Sequence, residues 1–472
     1  MYKVELRALS KTESNLNQET VYAPRYTVAD MFSGCGGLSL GFTLTRRFET
    51  LLGVDIKPEA LEIFAYNHEL FGGQRPMTIL DDIANVESRA FIPALQASGA
   101  DELDCLIGGP PCEGFSQNRT VQDGKVRTHK FIDDPRNHLF RWFVDLAAAL
   151  QPKVVLLENV PDLVRHKDGD TLNEILTALD TAGYTTTVRV LNAADYGVPQ
   201  MRRRAFFLAQ RKKDLARTGF KLKLPEPTHK SYPLMHKSLL EDPNWLPGDS
   251  GYWVNVREAL GDLPIATTDE NGISTSLYCS SKMTTFRALM RSSRSVIFNH
   301  RARQLGKNGL KRLQALRPGQ ICEDLPEELR PKGHYHNSYT RLLWSEPART
   351  ITKFVYHVGS GQFGHPEEDR AVTIREAARL QSFPDDFKFV GINEIRKVSA
   401  LVGSAVPPLV ARAIAREIVQ YLDQLYLINM KPEDRRAVKV LTGDAVMRRL
   451  EYESWNSEEL LASSNSGQLT LF

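Results

Sequence analysis

Cysteine is scarce and odd in number: the 472-residue chain has five, and no CxxC pair. Such a set excludes a disulfide framework and a zinc-finger spacing, and it fits a reducing, cytoplasmic setting. A dominant charge is also missing. Lys and Arg total 60 against 57 Asp and Glu, a net of +3, so any nucleic-acid surface has to be local. No uninterrupted apolar run approaches the ~18 residues of a membrane span, and mean hydropathy is −0.32. The opening residues (MYKVELRALSKTESNLNQ) are polar and do not read as a secretory signal. What is present is an ordinary globular composition, 42% hydrophobic and 25% charged, long enough for two domains of unequal size.

Short apolar runs recur at 27–32 (TVADMF), 51–55 (LLGVD), 103–108 (LDCLIG), 154–158 (VVLLE), 186–191 (TTVRVL) and 205–209 (AFFLA). Each has the length of a buried strand. Helical patterns lie between them. The clearest is 137–150, with Leu139, Phe140, Phe143, Leu146 and Leu150 on one stripe and Asp134-Pro135 as its start signal. Alternating strand and helix imply an α/β fold, a doubly wound sheet with helices on both faces. The rhythm stops near Arg211. From 212 to 341 there are turn residues, isolated aromatics and many arginines (Arg287, Arg291, Arg294, Arg301, Arg303, Arg312, Arg317), which suggests a second, smaller domain. Thr373 to Glu376 then reads as a capping box opening a helix through Gln381, and 409–425 as an amphipathic helix. The expected organisation is a lead-in (1–26), a main domain in two parts (27–211 and 342–427), an inserted domain (212–341) and a tail (428–472).

Four segments carry chemistry. In DMFSGCGGLSLGF (30–42), Gly34, Gly36 and Gly37 permit a tight turn and close approach to a ligand, although a plain strand-to-helix turn needs glycine too. Asp55 ends the next run, where a carboxylate can hold a ribose diol. Asp82 follows Ile79-Leu80, where a third loop would reach an adenine edge; the plainer role of both acids is a helix cap or solvated turn. Cys112, in GGPPCEGFS (108–116), sits on a turn fixed by Gly and Pro, placed for a nucleophile. A free cysteine is otherwise a small buried hydrophobe. Glu158 ends an apolar run, where burial would raise its pKa. In QMRRR (200–204), strand alternation would turn Arg202 and Arg204 to one face, suited to an anion or a base carbonyl.

Together these segments resemble the DNA (cytosine-5) methyltransferase family. The resemblance runs, in the family's order, through FSGCGG (32–37), GGPPC (108–112), ENV (158–160), QxRxR (200–204), RLxxFP (379–384) and GxAVPP (403–408). It covers about 27–211 and 341–425. Two positions depart from the usual pattern: Glu113 stands where Gln is common, and Ser404 where Asn is usual.

The resemblance implies a catalytic domain that binds S-adenosylmethionine and a target-recognition domain across a DNA cleft. It implies that Cys112 attacks carbon 6 of a flipped cytosine, that Glu158 bonds ring N3 and the exocyclic amine, and that Arg204, aided by Arg202, neutralises charge at O2. Asp30, Phe32, Ser33, Gly34, Gly36, Gly37, Asp55, Ile56, Asp82, Ile83, Pro110, Leu139, Ser404 and Ala405 would line the cofactor pocket. Ser116, Gln117, Asn118, Arg119, Arg301 and Arg303 would meet DNA, and 117–133 would form a loop closing over the base. The alternatives are an RNA methyltransferase, a non-catalytic DNA-binding regulator on the same scaffold, and a folate-dependent pyrimidine methylase. The last five residues, Gln468-Leu-Thr-Leu-Phe472, resemble the bacterial sliding-clamp-binding pentapeptide; a tail folded back as a short strand is the other reading. A monomer acting on duplex DNA in the cytoplasm, associated with the nucleoid, completes the expectation.

Overall fold

A computed structural model describes residues 24–111, 119–122, 125–128, 139–232, 242, 244–267, 278–279, 282–292, 296–392 and 394–429. The first apolar run becomes a strand buried along its whole length, β1 (Tyr26–Met31). Val28 joins one apolar core, while Ala29 and Met31 join another. Alternate residues thus face opposite sides of a sheet covered on both faces, which is why the run reads as continuously apolar.

The further strands are β2 (Phe48–Asp55), β3 (Met77–Leu80), β4 (Cys105–Gly108), β5 (Arg119–Gln122), β6 (Lys125–Thr128), β7 (Val154–Asn159), β8 (Tyr184–Asn192), β9 (Gln200–Met201), β10 (Arg203–Arg211), β11 (Gly333–His334) and β12 (Ala348–Arg349). Seven of them form one sheet in the order β3-β2-β1-β4-β7-β10-β8. All pairings from β3 to β7 are parallel. The order reverses between β1 and β4, and open α/β sheets bind ligands at the carboxyl ends of strands at such a point. The helices α1 (Gly37–Thr43), α2 (Pro58–Gly72), α3 (Ile92–Ser98), α4 (Leu139–Leu150) and α5 (Asp170–Thr181) fall between these strands, and α6 (Lys212–Thr218) follows β10.

Two features differ from the sequence reading. β10 runs antiparallel to both β7 and β8. The link from β8 to β10 is too short for the dozen-residue crossover that a parallel strand needs. β3 was also not among the expected runs: it is four residues long, at the sheet edge, and alternates half-buried and exposed.

The chain returns to this sheet at its far end. Thr373 caps the helix Ile374–Leu380 with Glu376 bonding back, as the capping box predicts. The helix Pro408–Asn429 buries Ile414, Ile418, Tyr421, Leu422 and Leu425. It packs so tightly on α1 that a Cβ on Gly41 would stand 2.4 Å from that of Ala411. Its Asp423 pairs with Arg47 and accepts from the Tyr26 hydroxyl at 2.6 Å, all three buried. The stretch Ile395–Asn429 is long and apolar enough to cross a membrane, although charged residues interrupt its apolar runs. Its most apolar window is 72% buried inside the protein, as befits a core helix.

Between 212 and 341 the described helices are short and β11 has two residues. Leu222, Val254, Phe286 and Met290 join the core that holds Phe383 and Ile414, whereas Leu313, Leu316, Cys322 and Leu325 cluster with Val358 and Ala371. Several arginines of this stretch point inside. Arg287 donates to the carbonyls of Glu258 and Arg257 at 2.9 Å, Arg291 pairs with Asp262 at 2.7 Å, and Arg312 donates to the Leu329 carbonyl at 2.7 Å. These three side chains bond within the protein, a pairing that composition alone does not register. Arg301, Arg303 and Arg317 remain exposed.

Candidate active site

The turn after β1 is built from left-handed backbone. Phe32, Gly34 and Gly36 have φ of 57°, 53° and 88°. Hydrogen bonds hold it: Ser33 N donates to Val54 O at 2.9 Å, Gly34 N to Asp55 Oδ2 at 2.9 Å, and Gly36 N to Ser33 O at 2.8 Å. A Cβ on Gly36 would stand 2.5 Å from the His68 ring, and one on Gly37 2.5 Å from Val406 O and 3.1 Å from the Ala405 Cβ. Beside Gly34 no protein atom stands within 4 Å, so within the fold it is the backbone angle that favours glycine there.

Asp30 lies beneath this turn, 1% exposed. Burial pushes its carboxyl up to about 7, against the pull of hydrogen bonds from Ser39. Its Oδ2 and the Ser33 Oγ are buried without a hydrogen-bond partner. Asp55 takes the plainer of its two expected roles, bonding turn backbone. It ends β2, yet Oδ2 holds Gly34 and Oδ1 accepts from Lys57 N at 3.0 Å. Ile56 beside it is 64% exposed. Asp82 caps a single turn, Ile83–Asn85, accepting from Ala84 N at 3.0 Å, with Ile83 buried below it. Leu139 opens α4, half-buried. Ser404 is exposed and donates back to Ala400 O at 2.7 Å.

At the ends of β4 and β7 the sheet brings a second group together. Glu158 is 8% exposed, and Arg204 Nε stands 3.0 Å from its Oε1. Burial raises the Glu158 pKa, with Arg204 and Arg202 opposing. Gly109 presses on the carboxylate: a Cβ there would be 3.0 Å from Oε2. Asn159 Nδ2 donates to Pro110 O at 3.3 Å and so ties the Gly-Pro turn to β7. Arg202 does not share a face with Arg204. It is 2% exposed and donates to the carbonyls of Ile351 and Gly403 at 3.0 Å each. The expected alternation fails because the strand breaks at 202: β9 pairs with β12, and β10 begins only at Arg203. Cys112, Ser116, Gln117 and Asn118 lie outside the described residues; Arg119 opens β5, which pairs with β6.

A strand-end Gly turn, a buried glutamate with an arginine partner and a Gly-Pro turn thus share one edge of one sheet. Against known families, residues 26–420 match the model of the C-5 cytosine-specific DNA methylases. The chain belongs to that family. As a cytosine-5 DNA methylase it transfers a methyl group to carbon 5 of cytosine in DNA. It is 34% identical over 412 residues to the type II methyltransferase M1.HphI of Haemophilus parahaemolyticus, covering 86% of this chain and 90% of the relative. It is 28% identical to the type II methyltransferase M.DdeI of Desulfomicrobium norvegicum, covering 90% and 96%. The fold matches that of a prophage-encoded DNA modification methyltransferase (E. coli) with a TM-score of 0.62, at 24% identity, over 84% of this chain and 99% of that one. Sequence reasoning passed over three groups in this methylase: His68 under the Gly turn, Asn159 between the two strand ends, and Gln381 behind Arg202. For Asn159 the signal was available, since it stands inside the quoted ENV segment.

Proposed function

We propose that this methylase acts on duplex DNA at a specific sequence, with S-adenosylmethionine as methyl donor and Cys112 as nucleophile. The observation that carries the reading is the pairing of buried Glu158 with half-buried Arg204 beside the turn that leads to Cys112. Attack of the Cys112 thiolate on carbon 6 moves the ring π electrons toward carbon 5, N3 and O2. Glu158, its proton favoured by burial, donates to N3, and Arg204 faces the charge at O2. Carbon 5 then takes the methyl group, a base removes its proton, and the thiolate leaves as the ring double bond reforms. A base stacked in a duplex is out of reach, so the cytosine has to be flipped out.

The turn after β1 fits the donor. Asp30 Oδ2 and Ser33 Oγ are partnerless acceptor and hydroxyl groups at a strand end, suited to a cationic amino group, and the exposed Ile56 offers a flat apolar contact. Bound there, S-adenosylmethionine supplies a methyl group activated by its sulfonium. Asp55, Asp82, Ile83, Pro110, Leu139, Ser404 and Ala405 complete the wall in this reading.

Residues 212–341 serve as the recognition domain, with Arg301 and Arg303 toward the DNA and Ser116 to Arg119 approaching the flipped base. The terminal Gln468–Phe472 engages a sliding clamp, and the enzyme works as a monomer on the nucleoid. It serves in restriction-modification or as an orphan methylase, and the type II naming of the relatives favours the first. Two measurements test the core of this reading. Labelled methyl transfer to duplex DNA is expected from the wild type and lost in Cys112→Ala, and duplex carrying a fluorinated cytosine is expected to trap the wild type covalently. Full transfer by Cys112→Ala, or a preference for tRNA, refutes it. Equal clamp binding by the full chain and one lacking the last five residues refutes the tail's role.

A further inference from the structure

Four stretches far apart in sequence meet behind Arg204, and they meet through buried polar groups. Gln200 and Gln381 are fully buried, and Arg202 is 2% exposed. The Gln200 amide donates to Leu380 O at 3.0 Å and to Gln381 Oε1 at 2.9 Å, and its oxygen accepts from Ile351 N at 2.8 Å. Gln381 in turn donates to Val402 O at 2.7 Å. Arg202 spans the carbonyls of Ile351 and Gly403. There the chain has no room for a side chain: a Cβ on Gly403 would stand 2.2 Å from the Thr352 carbonyl carbon. Two and three residues later come Ala405 and Val406, which press on Gly37 of the turn after β1.

Each buried polar group left unpaired costs about 1–3 kcal/mol, so a junction that only had to pack is better made of apolar residues. With both glutamine amides paired, such a network favours one arrangement of the segments it joins. The segment it holds here leads directly into Arg204, whose Nε stands 3.0 Å from Glu158.

We propose that Gln200, Gln381 and Arg202 are positioning residues: they form a clasp that sets Arg204 against Glu158 and ties that setting to the Gly37 turn. This rests on Arg204 being the group that faces the base. None of the three touches the reacting atoms; they act through Arg204.

The test uses the full chain and single-turnover methyl transfer to duplex DNA. Gln200→Met and Gln381→Met keep the side-chain length and remove the amide bonds. Each is expected to slow transfer about 100-fold, the cost of a small misplacement of a reacting group, with the KM for DNA little changed. The double variant should lose less than the product of the two single losses, because both break the Gln200–Gln381 bond they share. In an Arg204→Ala background, Gln200→Met should slow the residual reaction no further. An equal loss in both backgrounds shows general damage and overturns the clasp, as do wild-type rates in the single variants. Arg202→Lys, compared in the same two backgrounds, decides between the same outcomes should the methionine variants fail to fold. A wild-type chain that transfers no methyl group overturns the functional reading itself. Normal wild-type turnover with background-independent losses overturns the clasp alone.

Discussion

Replacing Asp30 by asparagine should flatten the pH dependence of stability. The Asp30 carboxyl is buried beneath the turn after β1 and raised from 3.8 to about 7, chiefly by that burial. A group raised on folding favours the native state while protonated, and this advantage is lost as pH climbs from the unfolded value through the folded one. The full difference is about 4 kcal/mol, at about 1.4 kcal/mol per pH unit. Between pH 5 and 8 the wild type should lose about 2–3 kcal/mol of it. The amide of the Asp30→Asn variant occupies the same space without an ionisable proton, so the variant should not share this loss. With an unfolding entropy of about 2 cal/mol/K per residue over a folded part of roughly 400 residues, the gap in Tm between the two proteins should widen by about 3 °C from pH 5 to pH 8. Differential scanning fluorimetry across that range reads it directly, each protein serving as the other's control. Parallel Tm curves would refute the burial argument. A second consequence concerns the cofactor. If Asp30 meets a cationic amino group, the affinity for S-adenosylhomocysteine measured by calorimetry should rise with pH through about 7 in the wild type and stay level in the variant.

Gly36→Ala combines a left-handed φ of 88° with a methyl group 2.5 Å from the His68 ring. It should cost about 1–3 kcal/mol in urea unfolding and weaken cofactor binding, whereas Gly34→Ala, with open space around it, should suffer only from its backbone angle. Asp423→Asn leaves Arg47 charged and 1% exposed, and should destabilise by about 3–5 kcal/mol. Replacing both partners with apolar residues of similar size should recover most of that, and a double variant as unstable as the single would refute the pairing argument. Arg204→Ala should lower the methyl-transfer rate about 100-fold or more if it faces the charge at O2, with a smaller effect on Tm than Asp423→Asn because Glu158, whose pKa burial already raises, can take up a proton; an unchanged rate would remove it from the active site.

Much of the sheet was legible because strands covered on both faces leave little place for polar residues. That is why 27–32, 103–108 and 154–158 stood out in the sequence. β3 escaped because an edge strand with one solvated side carries mixed residues, as in Met-Thr-Ile-Leu. The direction of β10 escaped as well, since an apolar run has the same composition read in either direction. At the site, the motif residues around Gly34, Asp55 and Glu158 do gather at one edge of the sheet. Arg202 shows the limit of periodic reasoning: alternation holds only while a strand continues, and a one-residue break turned that side chain inward. Gln381 had no local signal at all, because its meaning depends on Gln200, 181 positions away.

The tie between Tyr26 and Asp423 joins residues 397 positions apart. During synthesis, the first strand leaves the ribosome long before its partner helix exists. Until nearly the whole chain has emerged, Arg47 has no counter-ion and the α1 face that will receive Ala411 stays bare. Such an intermediate exposes apolar surface for most of translation. Shortened products ending before Asp423 should therefore appear in the cell as aggregates or as chaperone clients, however complete their motifs.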